Sequence, residues 1–200
     1  MAPFKILLGG LSSSGKTELL NAIVSLSEDV KICHGSMEFM NWLGLKQGDY
    51  ELLERISSGY KDIELERMIN HLVGRADRGS ICRVWMFSGH FGRIKDDKIQ
   101  PAIGSWISFF GLLVLLTASP EVLVERILSD DISGKRSRST MINLINSSAD
   151  RYGAIKRLLI QTERIAEQAA EFYRVPLLKM DSSMLSSMQL AAQLLNHIRA

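Results

Sequence analysis

Residues that stabilise or anchor a chain by special chemistry are scarce here. There are 2 cysteines, 4 histidines and 4 prolines in 200 residues. Cys33 and Cys82 each sit in an apolar stretch that reads as a central strand, so both are expected to be buried free thiols in a reducing cytoplasm. Scattered cysteines and few histidines leave little material for a zinc site or a cysteine nucleophile. Excess charge is missing too. Lys+Arg 24 against Asp+Glu 22 gives a formal +2, which argues against a nucleic-acid surface but accommodates a modest basic cleft for phosphates. The longest apolar run, Phe109 to Leu116, has eight residues, too few to span a bilayer. The apolar segment at Phe4 to Leu8 is needed as a strand and is too short for a signal peptide or anchor. A cytoplasmic chain with no membrane partner is expected.

What is present is ordinary globular composition, 46% hydrophobic and 23% charged, enough for one well-cored domain over 1–200. Phe4 to Leu8 is a β-favouring run that stops at two glycines, and Lys16 to Leu26 then reads as a helix. Val30 to Cys33, Ile81 to Phe87, Phe110 to Thr117 and Val175 to Met180 supply four further strands. Between the second and third, residues 36–78 read as helices broken near Gly44, Gly48 and Gly59. Pro120 suits the first turn of a helix running through Leu128. Residues 129–150 open on a polar, small-residue stretch that reads as a mobile lid. Helices follow at Met141 to Ile145, Arg151 to Phe172 and Met184 to Ile198. Strands separated by helices, several without alternation, predict an α/β three-layer sandwich with a parallel five-stranded sheet covered on both faces.

The strongest signal is Gly10-Leu11-Ser12-Ser13-Ser14-Gly15-Lys16-Thr17, a match to G-x-x-x-x-G-K-[ST] at every fixed position. Its glycines let the backbone curl around phosphate, and the following helix presents its positive end there. Lys16 reaches the β- and γ-phosphates, and Thr17 offers a hydroxyl to magnesium. The loop lies between a strand and a helix, the context in which this chemistry works. ATP and Mg²⁺ are therefore the expected ligands. No N-K-x-D follows, against a GTPase reading. The strand ending at Phe87 leads to Ser88-Gly89-His90 rather than to an acidic residue, against a motor ATPase. A small-molecule kinase remains, since it positions an acceptor and needs no water-activating carboxylate. Arg136 and Arg138 in the lid read as arginines closing over the transferring phosphoryl group, and with Lys16 they form the expected catalytic set.

The order of elements resembles the nucleoside monophosphate kinases, most closely the archaeal-type adenylate kinases. The resemblance rests on the N-terminal P-loop, the helical acceptor segment, a strand leading to His90, Gly92-Arg93-Ile94-Lys95, Pro101 to Trp106, and T-x-S-P-E-x-L-x-x-R from Thr117 to Arg126. An R-x-R lid completes it. The resemblance implies that Arg55 binds the acceptor phosphate and that His90 lines the acceptor site. Arg126 reads as a helix or lid-hinge residue. The pattern departs from that family at Ser88, where an Asp is usual. A nucleoside monophosphate is the expected acceptor. The alternatives are a hydroxylated metabolite, with Glu18 or Glu38 as the candidate base, or a nucleotide-gated interaction module. Met184, Met188, Ala191 and Leu195 on one face of the last helix offer a surface for a second copy.

Overall fold

Ile6, Leu7 and Leu8 are consecutive, yet each is at most 1% exposed, which requires a strand covered on both faces. This strand, β1 (Phe4–Gly9), is the middle of the sheet. The computed structural model describes residues 2–46, 48–79, 81–95, 98–132 and 139–199. The other strands of the sheet are β2 (Val30–His34), β3 (Val84–Ser88), β6 (Leu112–Thr117) and β7 (Leu177–Asp181), in the order β2-β3-β1-β6-β7 with all pairings parallel. A separate antiparallel hairpin joins β4 (Gly92–Lys95) to β5 (Lys98–Pro101).

Alternation along β1 divides the core in two. Ile6 and Leu8 face α1 (Lys16–Leu26) and α8 (Ser187–Arg199), where Leu19, Leu20, Ile23, Ala191 and Leu194 close around them. Leu7 faces the larger cluster. There α4 (Ser58–Gly79), α5 (Pro120–Ile132), α6 (Ser139–Ser147) and α7 (Arg151–Tyr173) pack on Trp85, Phe87, Leu113 and Leu115. Each such fully buried aliphatic side chain contributes about 1.5–3 kcal/mol. The expected three-layer sandwich is what forms. Short helices α2 (Gly35–Trp42) and α3 (Tyr50–Arg55) complete the segment between β2 and α4.

Several expected boundaries shift. Ile81 is 98% exposed and β3 starts only at Val84, where pairing with both Phe4 and Val30 becomes possible. Cys82 therefore lies outside any strand, and Cys33 is on the edge strand β2; neither is in a disulfide. Gly59 does not break a helix. The break falls at Ser57, whose hydroxyl accepts the Tyr60 N–H and caps α4. Phe110 precedes β6, edge-on to Trp106 after a 3-10 turn at Ser105–Phe109. α5 runs to Ile132, beyond the expected Leu128. The last helix starts at Ser187, leaving Met184 outside it and 89% exposed. Ala191 and Leu195, proposed to meet a second copy, are buried against α1 and the sheet. The face they form is already covered by this chain. No described helix is long and apolar enough to cross a membrane.

Candidate functional site

The phosphate loop begins where side chains cannot fit. A Cβ on Gly9 would lie 2.2 Å from the Phe91 ring, and one on Gly10 would lie 2.3 Å from the Leu116 carbonyl. Gly15, at φ 92°, occupies the left-handed region and delivers the chain into α1. Ser13 holds φ 61° without being glycine, a conformation that needs support from elsewhere.

That support comes from residues remote in sequence. The Arg126 guanidinium, from α5, donates to the Ser182 hydroxyl at 2.9 Å, the Ser182 carbonyl at 2.9 Å and the Ser13 carbonyl at 3.4 Å. Ser182, just after β7, in turn donates its hydroxyl to the Ser14 carbonyl at 2.9 Å. One turn beyond Arg126, Asp130 accepts from the Ser13 hydroxyl at 3.3 Å. On the inner side, the Lys16 ammonium folds back and donates to the Gly10 carbonyl at 3.0 Å and the Leu11 carbonyl at 2.7 Å. His90 places Nδ1 2.9 Å from the same Gly10 oxygen. A carbonyl can only accept, so this contact requires the proton on Nδ1.

A cavity of about 760 Å³ opens over this loop, within the usual range for small-molecule sites. Ser12, Ser13, Gly15, Lys16 and Thr17 form its floor. One wall, the clasp end, is built by Arg126, Asp130, Ser182, Leu185 and Leu190. The opposite wall, at the tips of β2 and β3, is built by His34, Ser36, Met37, Ser88 and His90. The helix dipole and unsatisfied first-turn N–H groups of α1 favour anions on the floor.

The expected residues are distributed unevenly over this geometry. Lys16, Thr17 and His90 come together on the cavity surface. Gly10, Leu11 and Ser14, from the same loop, do not line the cavity, and the side chains of Leu11 and Ser14 are buried. Glu18 lines the cavity and Glu38 does not. Arg55, at the end of α3, is exposed and lies off the cavity walls. Arg136 and Arg138 lie outside the described residues. Ser88 stands on the wall at the position where the resemblance leads one to look for Asp. Arg126 is not a mere helix or hinge residue, because it clasps the loop. Asp130 and Ser182 had no motif of their own to give them away; the spacing from Thr117 to Arg126 was the available signal, since it sets Arg126 two turns into the helix after β6.

Two further groups define what the surroundings can do. Burial first, and then the neighbouring Glu38 carboxylate, push the Cys33 thiol up to about 12, so it stays a neutral, inert side chain. Arg93 on β4 pairs with Asp62 on α4, and its burial lowers its pKa. This contact ties the hairpin to α4.

No family model matches the sequence, and neither does any curated protein compared with it. Solved structures do match in shape. Shikimate kinase from Acinetobacter baumannii, in complex with shikimate, superposes with a TM-score of 0.64 at 14% identity, over 98% of this chain and 93% of that one. Shikimate kinase from Bacteroides thetaiotaomicron gives 0.61 at 15% identity, over 98% and 99%. At such identities the likeness establishes the fold alone, the three-layer α/β sandwich that this chain shares with those structures.

Proposed function

We propose that this chain transfers the γ-phosphoryl group of ATP to a hydroxyl of a small acceptor held at the strand-tip end of the cavity. The observation that carries the reading is one continuous cavity with Lys16 on its floor and two walls of different chemistry, one for each reactant. Gly10, Ser12, Ser13, Gly15, Lys16 and Thr17 hold the donor phosphates. Lys16 exchanges the Gly10 and Leu11 carbonyls for phosphate oxygens, following the developing charge. The Thr17 hydroxyl is the loop's ligand for magnesium, which supplies charge neutralisation when bound. Arg136 and Arg138 are proposed to close over the transferring group; the expected lid over 129–150 is narrower than that, since Asp130 belongs to α5 and braces the loop while Met141, Leu144 and Ile145 of α6 are buried in the core.

A hydroxylated acceptor is favoured over a nucleoside monophosphate. Arg55, the residue assigned to an acceptor phosphate, lies off the cavity, and Arg93 is engaged with Asp62. Two of the proteins sharing the fold over nearly their whole length are shikimate kinases.

The test is ADP formation by purified protein with ATP and Mg²⁺, against shikimate, glycerol and nucleosides in one series and AMP, CMP, UMP, GMP and dTMP in another. The expected outcome is phosphorylation of a hydroxylated compound that disappears in Lys16→Ala. Faster turnover of a monophosphate than of every hydroxylated compound overturns this in favour of an adenylate-kinase-like enzyme. ATP binding with no product from either series points to a nucleotide-gated interaction module.

A further inference from the structure

We propose that His34 and Ser88 hold a hydroxyl of the acceptor other than the one phosphorylated, so that the site selects compounds bearing at least two hydroxyls; this rests on the hydroxyl-acceptor reading above. His34 ends β2 and Ser88 ends β3, and the two are paired directly across the parallel strands. Their predecessors Cys33 and Phe87 both belong to the larger core cluster. Alternation therefore turns His34 and Ser88 together to the opposite face of the sheet. That is the side of α1, and both residues line the cavity there.

Hydrogen bonding sets this pair apart from other polar groups of the cavity. Lys16, His90, Arg126, Asp130 and Ser182 are all bonded within the loop and its clasp. His34 stands at the N-cap position of α2 but its side chain does not cap the helix. Among the described residues, neither its ring nor the Ser88 hydroxyl has a protein partner. Both side chains are half-buried, so a bound acceptor that displaced their water without replacing its bonds would be penalised. An imidazole offers at least one N–H in either protonation state, and a serine hydroxyl both donates and accepts. A hydroxyl on the acceptor answers both groups at once. The sheet also sets the reach. Ser88 is paired with Leu8 of β1 as well as with His34, so the phosphate loop, Ser88 and His34 succeed one another across the strand tips, at about 4.8 Å per strand. An acceptor with one hydroxyl beside Lys16 extends over Ser88, and its far end meets His34.

The test uses acceptor pairs with purified protein, ATP and Mg²⁺: glycerol against 1,2- and 1,3-propanediol, shikimate against its deoxy analogues, and each ribonucleoside against its 2′- and 3′-deoxy forms. For the acceptor that is phosphorylated, loss of the held hydroxyl is expected to lower kcat/KM about tenfold. His34→Ala lowers it by about the same factor, through KM, with an ATP Kd within about twofold of wild type. The two changes are non-additive: together they also cost about tenfold, not about a hundredfold. His34→Gln, which keeps an N–H and a carbonyl, loses less than His34→Ala, and Ser88→Ala gives the same selective pattern. The inference is overturned if His34→Ala weakens the full and deoxy acceptors by equal factors, which would make the residue a support for α2, or if ATP affinity falls in step. Equal turnover of each acceptor and its deoxy partners by the wild type overturns it without any variant. If only monophosphates are phosphorylated, or nothing is, the hydroxyl-acceptor reading fails and takes this inference with it. If hydroxylated acceptors are phosphorylated and His34→Ala does not discriminate among them, the inference alone fails.

Discussion

The two ends of the cavity are built by different means. At the loop end, the carbonyls of Gly10, Leu11, Ser13 and Ser14 each accept a bond from a side chain, and the donors Lys16, His90, Arg126 and Ser182 come from four places in the chain. At the strand-tip end, the backbone makes the framework: a Cβ on Gly35 would lie 2.2 Å from the Ser88 carbonyl, so the tips of β2 and β3 close tightly behind His34, Ser36 and Ser88. The first end presents a backbone shape that only a narrow set of residues permits. The second presents side chains that could be exchanged without altering the frame. On the proposed reading, donor binding falls to the backbone-defined end and acceptor choice to the end lined by side chains.

Lys16→Ala is the most severe way to break this contrast. Loss of a charged hydrogen-bonding group at the phosphates corresponds to about 1.5–3 kcal/mol, or roughly 10–100-fold in ATP affinity by calorimetry. Unchanged affinity would remove the loop from the donor site. Arg126→Ala comes next, by unclasping Ser13 and Ser182. Because Arg126 is only part-buried, we expect about 1 kcal/mol of lost stability in urea unfolding, with a several-fold weaker ATP complex. A variant as stable as wild type would mean the clasp is ornamental. At the other end, Met37→Ala should leave ATP affinity within about twofold while altering kcat/KM for the acceptor. An equal loss of both would erase the distinction between the two ends.

The smallest effect concerns Cys33, beside the tip. Its thiol, 5% exposed and raised from the ordinary 9.0 to about 12, should resist alkylation in native protein at pH 8 and react at once on unfolding. The sign of the linkage follows: folding favours the protonated thiol, so this stabilisation is complete below pH 9.0 and is lost as pH rises toward about 12. Rapid native labelling of Cys33 would show that the tip opens.

Much of the scaffold was legible because its determinants are local. Phe4 to Leu8 followed by two glycines, and the unbroken apolar run of β6, left few alternatives to a buried parallel sheet. The phosphate loop was legible for a related reason: its glycines answer steric demands of backbone approaching phosphate. The hairpin of β4 and β5 was not anticipated, since four-residue strands containing Arg93, Lys95 and Lys98 carry no apolar alternation. Arg126 was underestimated because its partner Ser182 is 56 positions away, and periodicity says nothing about which helix face meets a distant loop. Arg55 illustrates the converse, since an arginine on a short helix reads the same whether it points into a site or out to solvent, and here it is exposed and off the cavity walls.

The bond from Ser182 to Ser14 spans 168 positions. During synthesis the phosphate motif is therefore made long before the clasp that braces it. Until β7 has docked beside β6, the loop lacks both Ser182 and the anchored Arg126. A chain lacking Ser182 carries the motif but not the bonds that hold its shape.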